Sequence, residues 1–154
     1  MADKTRSTTT IDAAKSVIMA VIADFPAYPQ WASGVKTAEI VQTDPDGRPA
    51  QVRFSLDAGG IIKDKYVLGY TWRGDDEVRW TLVERGSMIS DMTGAYLLEP
   101  DPGGGTRVTY ELAVALAVPM IGIMKRRAEK TIIDTALKGL RGRASQVAGE
   151  NGGN

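Results

Sequence analysis

The 154-residue chain predicts an α+β fold, a curved antiparallel sheet closed by one long C-terminal helix. Three observations carry this expectation. Five turn clusters (Asp44–Gly47, Gly59–Gly60, Arg73–Asp76, Glu84–Gly86 and Glu99–Gly105) cut the middle of the chain into segments of strand length. Connections this short join antiparallel neighbours. After the last segment the apolar pattern changes from period two to a helical period that persists to about Val147.

Taken in order, Thr5 to Ile11 is rich in β-branched Thr and reads as a first strand. Asp12 is placed to cap a helix over Ala13–Ala23, which carries Val17, Ile18, Val21 and Ile22 on one face. Asp24-Phe-Pro-Ala-Tyr-Pro29 ends that helix, and Pro29 leaves room only for a short helix or turn between Pro26 and Trp31. Six strands are then expected over Val35–Thr43, Ala50–Ala58, Ile61–Trp72, Glu77–Val83, Ser87–Leu98 and Thr106–Ala117. In most of them alternation gathers the apolar residues on one face, for example Val52, Phe54 and Leu56, or Tyr66, Leu68, Tyr70 and Trp72. Pro119 suits the first turn of the final helix. The stripe of that helix runs Ile121, Met124, Ala128, Ile132, Ala136, Leu140, Ala144, Val147. Gly139 and Gly142 weaken it and admit a close approach or a bend. Residues 1–148 read as a single domain and 149–154 as a disordered Gly/Asn tail.

Composition excludes more than it selects. Nineteen Lys plus Arg balance nineteen Asp plus Glu, so no bulk charge draws the chain to nucleic acid. No apolar run approaches the length of a membrane span, and Met1–Arg6 lacks the apolar stretch of a signal peptide. The expectation is a cytoplasmic protein, monomer or dimer, that partners a small hydrophobic molecule. The chain has no Cys and no His. Thiolate chemistry, disulfides and the commonest neutral-pH base and metal ligand are therefore excluded. No acidic cluster argues for a hard cation, so no metal and no cofactor are expected.

Local residues sharpen the picture. Ala13, Val17, Asp24, Tyr28 and Trp31 match an Ala-x-x-x-Val, helix, Asp-x-x-x-Tyr-x-x-Trp pattern. Tyr96-Leu-Leu-Glu-Pro100 and Gly105–Tyr110 are similar to the final hairpin of the same group. Over residues 5–148 the chain thus resembles the bacterial polyketide cyclase/dehydrase and lipid-transport group of the START-like (SRPBCC) superfamily. That resemblance implies the helix-grip fold, with about seven strands in a β-α-α-β6-α order and a ligand cavity between sheet and C-terminal helix.

Candidate cavity-lining residues are Trp31, Phe54, Tyr66, Leu68, Tyr70, Trp80, Met92, Tyr96, Tyr110, Leu112, Met120, Met124 and Ala128. Trp31 reads foremost as a core plug at the cavity end. The tyrosines are either amphipathic core or hydroxyls that orient a carbonyl or phenol ligand. The methionines are either gap-fillers or the adaptable wall of an apolar pocket. Asp91 and Arg79 read as solvated, and Lys125-Arg126-Arg127 as a solvated helix face or a transient contact with an anionic membrane. No catalytic residue is assigned. The leading expectation is binding or transport of a lipid, quinone or polyketide. A polyketide aromatase/cyclase and a chaperone-activator-like interaction module are the alternatives.

Overall fold

The computed structural model describes residues 4–58, 62–117 and 122–152. Its elements are β1 (Thr5–Ile11), α1 (Lys15–Ala23), a 3-10 turn (Phe25–Ala27), α2 (Tyr28–Trp31), β2 (Val35–Thr43), β3 (Pro49–Ala58), β4 (Ile62–Arg73), β5 (Glu77–Glu84), β6 (Ile89–Pro100), β7 (Thr106–Leu116) and α3 (Gly122–Gly152). The seven strands form one antiparallel sheet in the order β1-β7-β6-β5-β4-β3-β2. The six-strand meander is present as expected, and the first strand returns to pair with the last.

The register decides what faces the interior. One row across the sheet runs Tyr70, Trp80, Gly94, Leu112 and Thr5. The next runs Trp72, Val78, Tyr96, Tyr110 and Ser7. Because strand side chains alternate, these rows present their aromatic residues to the same side. That side packs on α1, the 3-10 turn, α2 and the buried face of α3, with Phe25, Ile18, Ile22, Ile133 and Leu140 fully buried.

Three local expectations are corrected. Asp12 does not cap α1: the Ala13 N–H donates to the Ile11 carbonyl at 2.9 Å, and the helix begins after Ala14, which makes no side-chain cap bond. The α3 stripe is rotated in its first half. Ile132 is exposed, Ala128 is half-buried, and Glu129, Ile133 and Leu137 are buried instead. The helix also continues to Gly152, so most of the expected tail is helical. Pro119, Met120 and Ile121 lie outside the described residues.

Gly139 explains how α3 lies so near α2. A Cβ there would sit 2.3 Å from the Trp31 carbonyl oxygen, so the close approach anticipated at this glycine is a backbone contact that any larger residue would break.

Candidate functional site

The inner face of the sheet is lined by rings. Phe54 stacks on Tyr66 with centroids 5.6 Å apart, and Tyr70 lies 5.8 Å from Trp80. Trp80 meets both Tyr96 and Tyr110 at 5.5 Å, and those two tyrosines meet edge to face at 4.6 Å. The Trp80 indole lies across Gly94, where a Cβ would come within 2.3 Å of its ring carbons. Gly94 is therefore the residue that allows the largest ring of the lining to lie flat against the strand.

Polar groups among these rings divide into two kinds. The Tyr28 hydroxyl donates to the Ile22 carbonyl at 2.6 Å, and the Trp72 indole N–H donates to the Pro49 carbonyl at 2.7 Å. Arg48 lies over the Trp72 ring, 5.0 Å from its centroid, so this Trp anchors a packed corner. In contrast, the hydroxyls of Tyr66, Tyr70, Tyr96 and Tyr110 and the indole N–H of Trp80 meet no partner among the described residues. They are not sealed either. Among the described residues, the buried side-chain polar atom that is both sealed and unpartnered is Trp31 Nε1. The four hydroxyls and the Trp80 N–H thus border space that a water-sized molecule can enter.

Electrostatics keeps the tyrosines neutral. Burial raises the pKa of Tyr66, Tyr70, Tyr96 and Tyr110 above the ordinary phenol value, and for Tyr70, Tyr96 and Tyr110 the neighbouring phenols add to it. The ring contacts from Tyr70 to Trp80 and from Trp80 to Tyr96 and Tyr110 carry this lining across β4, β5, β6 and β7. Asp64 adds to the rise at Tyr66.

Two buried carboxylates frame this lining, and both are engaged. Asp64 lies in the inward register of β4, near the start of the strand. Its oxygens accept the backbone N–H groups of Lys65, Ser87, Met88 and Ile89 at 2.7–3.1 Å. Desolvation opposes its ionisation, but these four donors together hold its pKa below the usual carboxylate value. Gly86 is required beside it, since a Cβ there would meet Asp64 Oδ1 at 2.1 Å. Glu129, 1% exposed on α3, accepts from Thr5 Oγ1 at 2.7 Å and from the Val114 N–H at 2.8 Å, and pairs with Lys125 Nζ at 3.2 Å.

Of the expected lining, Phe54, Tyr66, Leu68, Trp80, Met92, Tyr96, Tyr110 and Leu112 are buried together on the inner face, and Tyr70 is half-buried among them. Trp31 is half-buried at the α2–α3 contact, 4.7 Å from Tyr28, beside an open groove of about 450 Å³. Met124 is a correction: it is 55% exposed, because the helix turns Glu129 and Ile133 inward and leaves Met124 and its neighbour Ile123 outside. Ala128 is half-buried, and Met120 falls outside the described residues. Arg79 is exposed and pairs with Glu77, and Asp91 is exposed. Lys125, from the basic run, and Lys130 are paired within α3, with Glu129 and Asp134. Sequence reasoning missed Asp64 and Glu129. Asp64 was visible as an acid in an apolar register, while Glu129 carried no sign beyond its place among apolar helix positions.

A seven-stranded antiparallel sheet packed on one long C-terminal helix is the architecture of the START-like helix-grip class. Within that class, the chain belongs to the polyketide cyclase/dehydrase and lipid transport family, whose model matches residues 2–145. Solved structures agree on the fold. A START superfamily protein from Mycobacterium smegmatis is 23% identical with a TM-score of 0.85, over 94% of this chain and 98% of that one. A protein from Thermus thermophilus is 22% identical with a TM-score of 0.77, over 95% and 99%. The Zhui aromatase/cyclase from Streptomyces sp. R1128 is 14% identical with a TM-score of 0.74, over 95% of both chains. No curated protein matches by sequence. Among the described residues no helix is long and apolar enough to cross a membrane.

Proposed function

We propose that this protein binds a small hydrophobic molecule between its sheet and α3, as a carrier or sensor without chemistry of its own. One observation carries the proposal: four tyrosine hydroxyls and the Trp80 N–H on the inner face meet no protein partner among the described residues and are not sealed from a water-sized molecule. Buried polar groups that serve only the fold are partnered, as those of Tyr28 and Trp72 are here. Donors left free among aromatic rings suit a ligand whose apolar body is held by burial and whose orientation is set by a few hydrogen bonds. The family description, which names lipid transport, supports the same reading. Native mass spectrometry of freshly purified protein tests it. A co-purifying small molecule, released on denaturation, is expected. A bare protein mass, together with unchanged tryptophan emission on titration with lipid, quinone and flavonoid probes, overturns the proposal.

The same neutral hydroxyls favour a second reading, polyketide cyclisation, in which they polarise carbonyls as an enolate closes on a ketone. A general base is what this reading needs, and the two buried carboxylates beside the lining are already engaged. Incubation with a polyketide synthase and its carrier protein decides it: an unchanged product spectrum removes the cyclase reading and leaves the carrier reading intact.

A further inference from the structure

Resting on the binding reading above, we infer that the ligand is an uncharged aromatic compound bearing carbonyl or other acceptor oxygens, and that carboxylate-bearing lipids are selected against.

The inference comes from the charge inventory of the interior rather than from its apolarity. Among the described residues, the buried polar and charged side chains are Asp64, Thr106, Glu111 and Glu129. None is a cation. Glu111 sits in the opposite register and pairs with Arg6, and Thr106 donates to the Ala13 carbonyl at 2.8 Å. Of the two carboxylates near the lining, Glu129 is paired with the partly exposed Lys125 and Asp64 is held by backbone N–H groups, so neither leaves a cation free for a ligand. A ligand carboxylate entering this interior would lose its hydration and find no buried cation among the described residues. The tyrosine pKa values, raised by burial, point the same way, because they show a surrounding that disfavours any anion.

What the interior offers instead is donors. The Trp80 N–H can only donate, and the hydroxyls of Tyr66, Tyr70, Tyr96 and Tyr110 each carry a proton to give. Donors spread over β4, β5, β6 and β7 require acceptor oxygens at more than one point on the ligand. A plain alkyl chain would leave them desolvated and unpaired. The rings around them favour a flat body: Trp80 lies flat over Gly94, and Tyr96 and Tyr110 stand edge to face 4.6 Å apart beside it.

The test uses three probes with one ring skeleton, plus a fatty acid, titrated into the full-length protein and followed by tryptophan emission. Anthraquinone is neutral with two carbonyl oxygens, anthracene has none, and anthraquinone-2-carboxylate adds a charge; palmitate is the lipid. Anthraquinone is expected to bind about tenfold more tightly than either ring analogue, the difference made by one or two hydrogen bonds or one unpaired charge. Tyr96→Phe and Tyr110→Phe should each weaken anthraquinone about three- to tenfold and leave anthracene unchanged, in variants whose melting temperature matches that of the unmodified protein. Equal binding of anthraquinone and its carboxylate, tighter binding of palmitate, or Tyr→Phe variants that bind anthraquinone normally each overturn the inference while leaving the binding reading in place. No binding of any of the four overturns both.

Discussion

The Asp64 clamp and the tyrosine lining treat buried polarity in opposite ways. At the clamp, one carboxylate takes four backbone N–H groups and organises the turn between β5 and β6. A few residues further along β4, Tyr66 and Tyr70 hold hydroxyls that no protein atom meets among the described residues. Unpaired buried donors are costly, and natural sequences replace them with Phe where nothing is gained. The contrast teaches that polarity at the clamp serves the fold, whereas polarity in the lining is kept for something outside the chain.

Mutations can break or sharpen this contrast. Asp64→Ala has the largest expected effect, because four backbone N–H groups, that of Ile89 buried, lose their acceptor at once. We expect a loss of about 3–4 kcal/mol in chemical denaturation. The same residue sets an acid limit. Its folded-state pKa is depressed, so its contribution is complete above an unfolded value of about 3.9 and is lost as pH falls from there through the folded value. Plots of stability against pH between about pH 5 and about pH 2 should flatten in Asp64→Asn relative to the unmodified protein; equal slopes would show that other carboxylates govern acid stability.

Gly94→Ala comes next. Its Cβ collides with the Trp80 indole, which must leave the strand surface, for an expected loss of about 1–3 kcal/mol and a shifted tryptophan emission maximum. Tyr28→Phe removes one hydrogen bond, that to Ile22, and should cost about 1 kcal/mol. Tyr110→Phe is the smallest, within about 0.5 kcal/mol, because its hydroxyl has no protein partner to lose among the described residues. If Tyr110→Phe proved as destabilising as Tyr28→Phe, the distinction between the two kinds of tyrosine would fail.

Much of this arrangement was legible before any coordinates. Strand alternation placed Phe54, Tyr66, Trp80, Tyr96 and Tyr110 on one face, because a period of two leaves no choice once one face is buried. The helix was less legible. Ile121, Met124, Ala128 and Ile132 make an apolar row, but the buried row passes through Glu129 and Ile133, since a carboxylate satisfied by Thr5 and Val114 can be buried where apolarity alone would forbid it. Asp64 shows the same limit. Its inward register was visible, but its purpose depends on residues 87–89 being brought to it by the fold, 23 to 25 positions away. Whether a tyrosine hydroxyl is partnered is likewise a matter of small displacements, which no alternation pattern encodes.

Glu129 has a consequence beyond the helix that carries it. β1 meets β7 at Thr5 opposite Leu112, and Val114 lies two residues further along β7. By accepting from both Thr5 and the Val114 N–H, one side chain of α3 ties the helix to two neighbouring strands at once, so a single acid fastens the first strand, the last strand and the closing helix at one point.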